Sequence, residues 1–245
     1  MKSIINREDD QPAQRFLACE RRTIYLLLMM SAGMMGAYTF NVRGGVFCNA
    51  QTANIVLMAV TLGDGNFKDG LYYLIPISAY CLGAFFSEAF PSPIKKLALF
   101  RWDTCLIAFE MIILLIIGFL PLRTPNHIVQ VAVNFIASMQ YNTFRQAEGI
   151  PMATTFCTNH VRQIGIAIAK LIRKKEMEAW TRLLTHIQMI VCFLGGGIIL
   201  TVICRWFPKE AIWIALLPLA AVLLQLGYAD IVVERRQFDR KPGGH

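Results

Sequence analysis

The chain has 245 residues, 56% of them hydrophobic, and a mean hydropathy of +0.48. Several apolar runs approach the length of about 20 residues that a helix needs to cross a bilayer, which excludes an ordinary soluble domain. The formal charge of +8 does not point to nucleic acid, because the basic residues fall in short segments between apolar runs, the positive-inside pattern.

Residues 1–22 are polar and charged and are expected to be a cytoplasmic tail. Apolar segments follow at about 23–40, 46–62, 71–90 and 102–120. Arg21 and Arg22 before the first run resemble a signal peptide, but the run is longer than a typical signal core and is read as a retained helix. After a linker at 121–126, apolar segments recur at about 127–144, 152–172, 186–207 and 211–231, and a charged tail, 232–245, closes the chain. Residues 23–120 and 127–231 are thus read as two membrane repeats. "AYTF" (37–40) matches "YNTF" (141–144), "RGGVFCNAQTANIV" matches "EGIPMATTFCTNHV", and "CLGAFF" matches "FLGGGI". The seven cysteines are scattered, without zinc or redox spacing, and read as small hydrophobes.

The second segment of each repeat is a doubtful span. Segment 152–172 contains Arg162 and Lys170, and charge at bilayer depth is expensive. If both doubtful segments enter and leave on one side, all but five of the 24 Lys and Arg lie inside, the exceptions being Arg43, Lys68, Arg123, Arg205 and Lys209. If both cross, seven lie outside, including Lys95 and Lys96; if only one crosses, Arg173, Lys174 and Lys175 fall outside. The expected fold is therefore all-α and polytopic, with six transmembrane helices and both termini cytoplasmic. An odd number of crossings per repeat makes the two repeats inverted, an architecture that recurs in secondary transporters.

Each repeat is then expected to carry a re-entrant or broken half-helix. Gly44 and Gly45 let the chain dip inward, and a helix starts near Thr52 and leaves by Leu62. Pro151 breaks the second copy, and a helix starts near Thr158. Irregular backbone at that depth must be buried in protein or line a watery cavity. The predicted solute ligands are Asn49, Gln51, Thr52 and Asn54 from the first copy, and Thr154, Thr155, Thr158, Asn159 and His160 from the second. Two half-helix N-termini near the midplane favour an anion or a carbonyl-bearing solute.

Glu110 lies inside an apolar run, where a carboxylate either couples protons or bonds a buried polar group between helices. Arg43, Arg145 and Arg162 are read as coupling or gating residues, with a snorkelling anchor as the alternative for Arg145. Gly83 and Gly195–Gly197 read as close helix packing rather than a phosphate loop. Asn134, Ser138, Gln140 and Asn142 face either a cavity or neighbouring helices.

At these motifs the chain resembles the YoaK-like family of bacterial inner-membrane proteins, a domain of unknown function. The resemblance rests on Arg43–Val56, Thr143–Arg145 and Ala153–Arg162 and covers nearly everything between the tails. It implies a membrane fold in a bacterial inner membrane, a transport role at most, and a Thr-Gly-Asn core in both repeats. This chain reads Thr52-Ala53-Asn54 in the first and Thr158-Asn159-His160 in the second, so His160 stands where the family has Asn.

There is no nucleophile–base constellation, metal-ligand spacing or nucleotide fingerprint, so neither an enzyme nor a cofactor is expected. The reading is a small-solute transporter or permease with a site between the half-helices. The alternatives are a channel of the same architecture and a non-transporting membrane partner or regulatory protein. Expected partners are the lipid bilayer and a small solute, an anion among the candidates, not nucleic acid. A homo-oligomer stays open.

Overall fold

The computed structural model describes residues 16–90, 100–174, 177–235, 240 and 242–243. Lys95, Lys96, Lys175, residues 1–15 and half of the C-terminal tail, on which part of the charge asymmetry rests, lie outside them.

Helix α1 (Arg22–Val42) ends where Gly44 and Gly45 take left-handed φ of 84° and 73°, which turns the chain back into the bundle. Helix α2 (Gln51–Gly63) is short and apolar. Asn66 then caps α3 (Phe67–Tyr72) by accepting from the Asp69 N–H, and α3 runs on into α4 (Leu74–Ala89). Helices α5 (Trp102–Phe119) and α6 (Asn126–Thr143) follow. A small hairpin pairs Gln146–Ala147 with Ile150–Pro151 and turns through Glu148 and Gly149, both at positive φ. Helices α7 (Thr158–Lys174) and α8 (Met177–Cys204) come next. A 3-10 turn (Glu210–Ala215), α9 (Leu216–Tyr228) and a π turn (Ala229–Val233) complete the order.

Among the described residues, five stretches are long and apolar enough to cross a membrane: Arg22–Val42, Phe67–Ala89, Trp102–Phe119, Met177–Cys204 and Glu210–Val233. Helix α6 is as long as α5, with 18 residues, but carries Gln130, Asn134, Ser138 and Gln140, all buried. A helix this polar is kept at the centre because protein, not lipid, surrounds it.

Packing repeats itself between the halves. Helix α1 lies along α8, and α4 lies along α6. Helix α2 packs on α3 and α4 as α7 packs on α8; α1 meets α9 as α6 meets α5; and α5 meets α9. Glycines set the closest approaches: a Cβ at Gly33 would strike the Phe193 carbonyl, one at Gly196 the Met30 carbonyl, and one at Gly83 the Phe135 carbonyl. Small residues let helix backbones approach this closely. Tyr25, Leu28, Met29 and Met35 of α1 form the core with Ile107 and Leu114 of α5, Val133 and Ile136 of α6, and Val222 of α9.

The long segments alternate between two ends. At the Arg22 end, Arg22 pairs with Glu148 at 3.1 Å, Arg145 with Glu88 at 2.9 Å, and Asp230 accepts the Arg101 N–H at 3.0 Å. At the Arg43 end, Asn41 bonds Thr201 at 3.0 Å, Tyr72 bonds Gln130 at 3.0 Å, and the Trp213 indole bonds the Leu115 carbonyl at 3.1 Å.

One boundary differs clearly from the hydropathy reading. Helix α8 starts at Met177, nine residues before the expected 186. Ala179, Leu183 and His186 form a buried helical face, partly against α7, while Glu178, Trp180 and Arg182 on the other faces are exposed and mask the signal.

Candidate solute site between two broken segments

The first broken segment is held by amides. Asn49, 5% exposed, donates to the Ala32 carbonyl of α1 at 3.2 Å and sits against Gly36. Gln51 opens α2 and donates to Asn134 Oδ1 of α6 at 2.8 Å. Asn54 is fully buried. Its Oδ1 accepts the Phe47 N–H at 3.2 Å, and its Nδ2 donates to the Phe47 carbonyl at 2.8 Å and to Gln51 Oε1 at 3.1 Å. Asn54 therefore clamps the loop to its own helix. Thr52 is exposed.

The second broken segment is built differently. Gln140 of α6 donates to the Thr154 carbonyl at 3.4 Å. Thr154 and Thr155 are fully buried, and Thr155 lies beside Tyr80 of α4. The rings of Tyr141 and Phe156 pack at 4.9 Å. Helix α7 starts at Thr158, as expected, but Thr158 is exposed. His160 is buried, with Nε2 2.8 Å from the Ala153 carbonyl and Nδ1 2.9 Å from Nδ1 of His186 on α8. Since Nε2–H must donate to the carbonyl, His160 Nδ1 is an acceptor and His186 Nδ1–H donates to it. Burial holds the His160 imidazole below its ordinary value. Asn159 accepts from Arg162, which is exposed.

Tyr80 of α4 adjoins Thr155 of the second segment. Several buried polar atoms have no hydrogen-bond partner among the described residues: Ser31 Oγ, both Glu110 carboxyl oxygens, Ser138 Oγ, Gln140 Oε1 and Thr154 Oγ1. Glu110 is 0% exposed, and neither of its carboxyl oxygens bonds another described residue. Arg145 lies at the Arg22 end, bonded to Glu88 and to the Asn142 carbonyl, and braces α6 to α4. Arg43 is buried at the opposite end.

The structure thus brings Asn49, Gln51, Asn54 and Asn134 together on one side, and Thr154, Thr155, Gln140 and His160 on the other. It leaves Thr52, Thr158 and Arg162 at the surface. Sequence reasoning missed Tyr80, Gln130 and His186. The spacing of His186 from Ala179 and Leu183 marks it as the next residue on a buried face.

The model of the family described as "Protein of unknown function (DUF1275)" matches residues 24–225, and the chain belongs to that family. Neither the curated proteins nor the solved structures include a match to this chain.

Proposed function

We propose that the protein carries a small solute across a bacterial inner membrane, as a transporter rather than an enzyme. Six crossings form two inverted three-helix repeats, α6 being the sixth, and both termini lie in the cytoplasm. The reciprocal packing of α1 on α8 and α4 on α6 supports the repeat, because exchanging the two halves maps each pair onto the other. The observation that carries the transport reading is the pair of broken segments tied to one helix, the first through Gln51 to Asn134 and the second through Gln140 to the Thr154 carbonyl, together with buried polar atoms that bond no other described residue. Orphaned hydrogen-bonding groups at such depth are costly to a purely structural core, and a polar solute would satisfy them. The solute contacts assigned are Thr154, Thr155, Gln140 and Ser138, with Gln51 and Asn134 bracing the opposite wall. Glu110 is the assigned proton-coupling group.

The test begins with a thermal-shift screen of the purified protein against small metabolites and anions, followed by uptake into proteoliposomes. Thr154→Val and Ser138→Ala remove orphaned hydroxyls without deleting a side-chain hydrogen bond to a described residue. Both variants should fold and lose saturable uptake. Folded variants with unchanged uptake would sink the site, and flux that does not saturate would indicate a channel.

A further inference from the structure

Arg43 is the largest fully buried side chain in the described structure. Its Nε and Nη2 both donate to the Tyr38 hydroxyl oxygen, at 3.3 and 3.2 Å, and the guanidinium carbon lies 5.7 Å from that ring's centroid. The Tyr38 hydroxyl in turn donates to the Lys209 carbonyl at 3.4 Å. Gln130 fixes the Arg43 backbone by donating to its carbonyl at 2.6 Å. Among the described residues, Nη1 has no hydrogen-bond partner and no carboxylate lies within ion-pair distance of Arg43. Glu210, which is within electrostatic reach of Tyr38, is engaged by Lys209 Nζ at 3.2 Å.

A buried guanidinium without a counter-charge is a costly arrangement, and a hydroxyl and a ring face offset only part of the cost. Its planar fork matches oxyanions. A cleft of about 480 Å³ opens at the same end of the bundle, lined by Val42, Leu122, Cys204, Arg205 and Pro208 among others. Val42 precedes Arg43 in the chain and Pro208 precedes Lys209, whose carbonyl holds Tyr38, so the cleft wall lies next in sequence to this pair without including Arg43 itself. Arg205 adds a second positive charge to its wall.

We propose that Arg43 anchors an oxyanion site at this end of the bundle, taking a carboxylate or phosphate group through Nη1 and reached from the cleft that Arg205 lines. The site is separate from the solute site between the broken segments and does not depend on transport.

The test is anion-dependent melting of the delipidated protein in detergent at matched ionic strength, with sodium phosphate, sodium acetate, phosphatidylglycerol and sodium chloride as four arms. Phosphate, acetate or both should raise the melting temperature of the wild type in a saturable way, and chloride should not. Arg43→Gln should abolish the shift. An Arg43-dependent shift from phosphatidylglycerol alone would make a lipid headgroup the source of the oxyanion and still support the site. No shift with phosphate, acetate or phosphatidylglycerol overturns the proposal, as does a shift that survives in Arg43→Gln. If Arg43→Gln does not fold, Tyr38→Phe decides. Loss of the hydroxyl strips Nε and Nη2 of their partner, so the variant should lean harder on the anion and show a larger shift than wild type. A loss of stability that is equal with and without anion overturns the site.

Discussion

Asn54→Ala should unfold the first broken segment rather than merely delete a solute contact. In the native chain Asn54 spans seven residues back to Phe47, satisfying both its N–H, at 3.2 Å, and its carbonyl, at 2.8 Å, and it also donates to Gln51 Oε1 at 3.1 Å. Alanine removes all three bonds. A net hydrogen bond contributes about 1 kcal/mol, and a buried group left unsatisfied costs about 1–3 kcal/mol. Phe47 is only partly buried, so water recovers some of that cost. The expected loss is about 3 kcal/mol. Thr52, two residues away and exposed, supplies the control: Thr52→Ala should stay within about 0.5 kcal/mol of wild type. Reversible unfolding in mixed micelles, followed by helical circular dichroism, measures both. Asn54→Asp, which keeps the acceptor but replaces the donor with a charge, should be at least as destabilising as alanine. If Asn54→Ala melts like Thr52→Ala, the clamp is not holding the segment and the reasoning fails.

Gly196→Val places a side chain against the Met30 carbonyl and should cost about 1–3 kcal/mol in the same assay; Gly195→Val, with open space around its Cβ position, is the matched control. Glu110→Gln keeps the size of a fully buried carboxyl that has no partner, so its stability should stay within about 1 kcal/mol of wild type while uptake driven by a proton gradient is lost. Because burial holds His160 below its ordinary 6.5, the unfolded chain takes up the proton first. The stability contributed by the neutral ring is complete above about pH 6.5 and drains away as the pH falls towards the folded value. His160→Gln should flatten the acid limb of a melting-temperature profile.

Much of the architecture is legible because it follows from local chemistry. The start of α2 follows from the glycine pair and the amide-rich run before it, and the start of α7 from Pro151 and Thr158. The close packing at Gly83 and Gly196 follows from small residues set in apolar runs. What stays hidden depends on which way a side chain points. A positive-inside count places Arg43 among the few basic residues on the outer side and says nothing of depth; the structure buries it because Tyr38, five residues earlier, presents a hydroxyl to its guanidinium. The early start of α8 is hidden for a related reason, since averaging over Ala179 and Arg182 erases the difference between two faces of one helix.

The two broken segments meet the same physical demand in different ways, and this decides where a solute contact is best sought. Both bring irregular backbone into the bundle, where its polar groups need partners. In the first copy Asn49, Gln51 and Asn54 are used up: each amide already bonds a carbonyl or another amide, and Asn54 bonds the segment's own backbone. Substituting them therefore perturbs structure and function together. In the second copy Thr154 offers a hydroxyl with no partner, beside a Gln140 oxygen that also has none. Matching motifs, Thr-x-Asn in one copy and Thr-Asn-His in the other, thus conceal unequal roles, with one wall braced and the other left with hydrogen-bonding capacity to spare. A loss of uptake in a folded Thr154→Val protein can be assigned to the solute contact. The same loss in Asn54→Ala cannot, because the clamp fails with it.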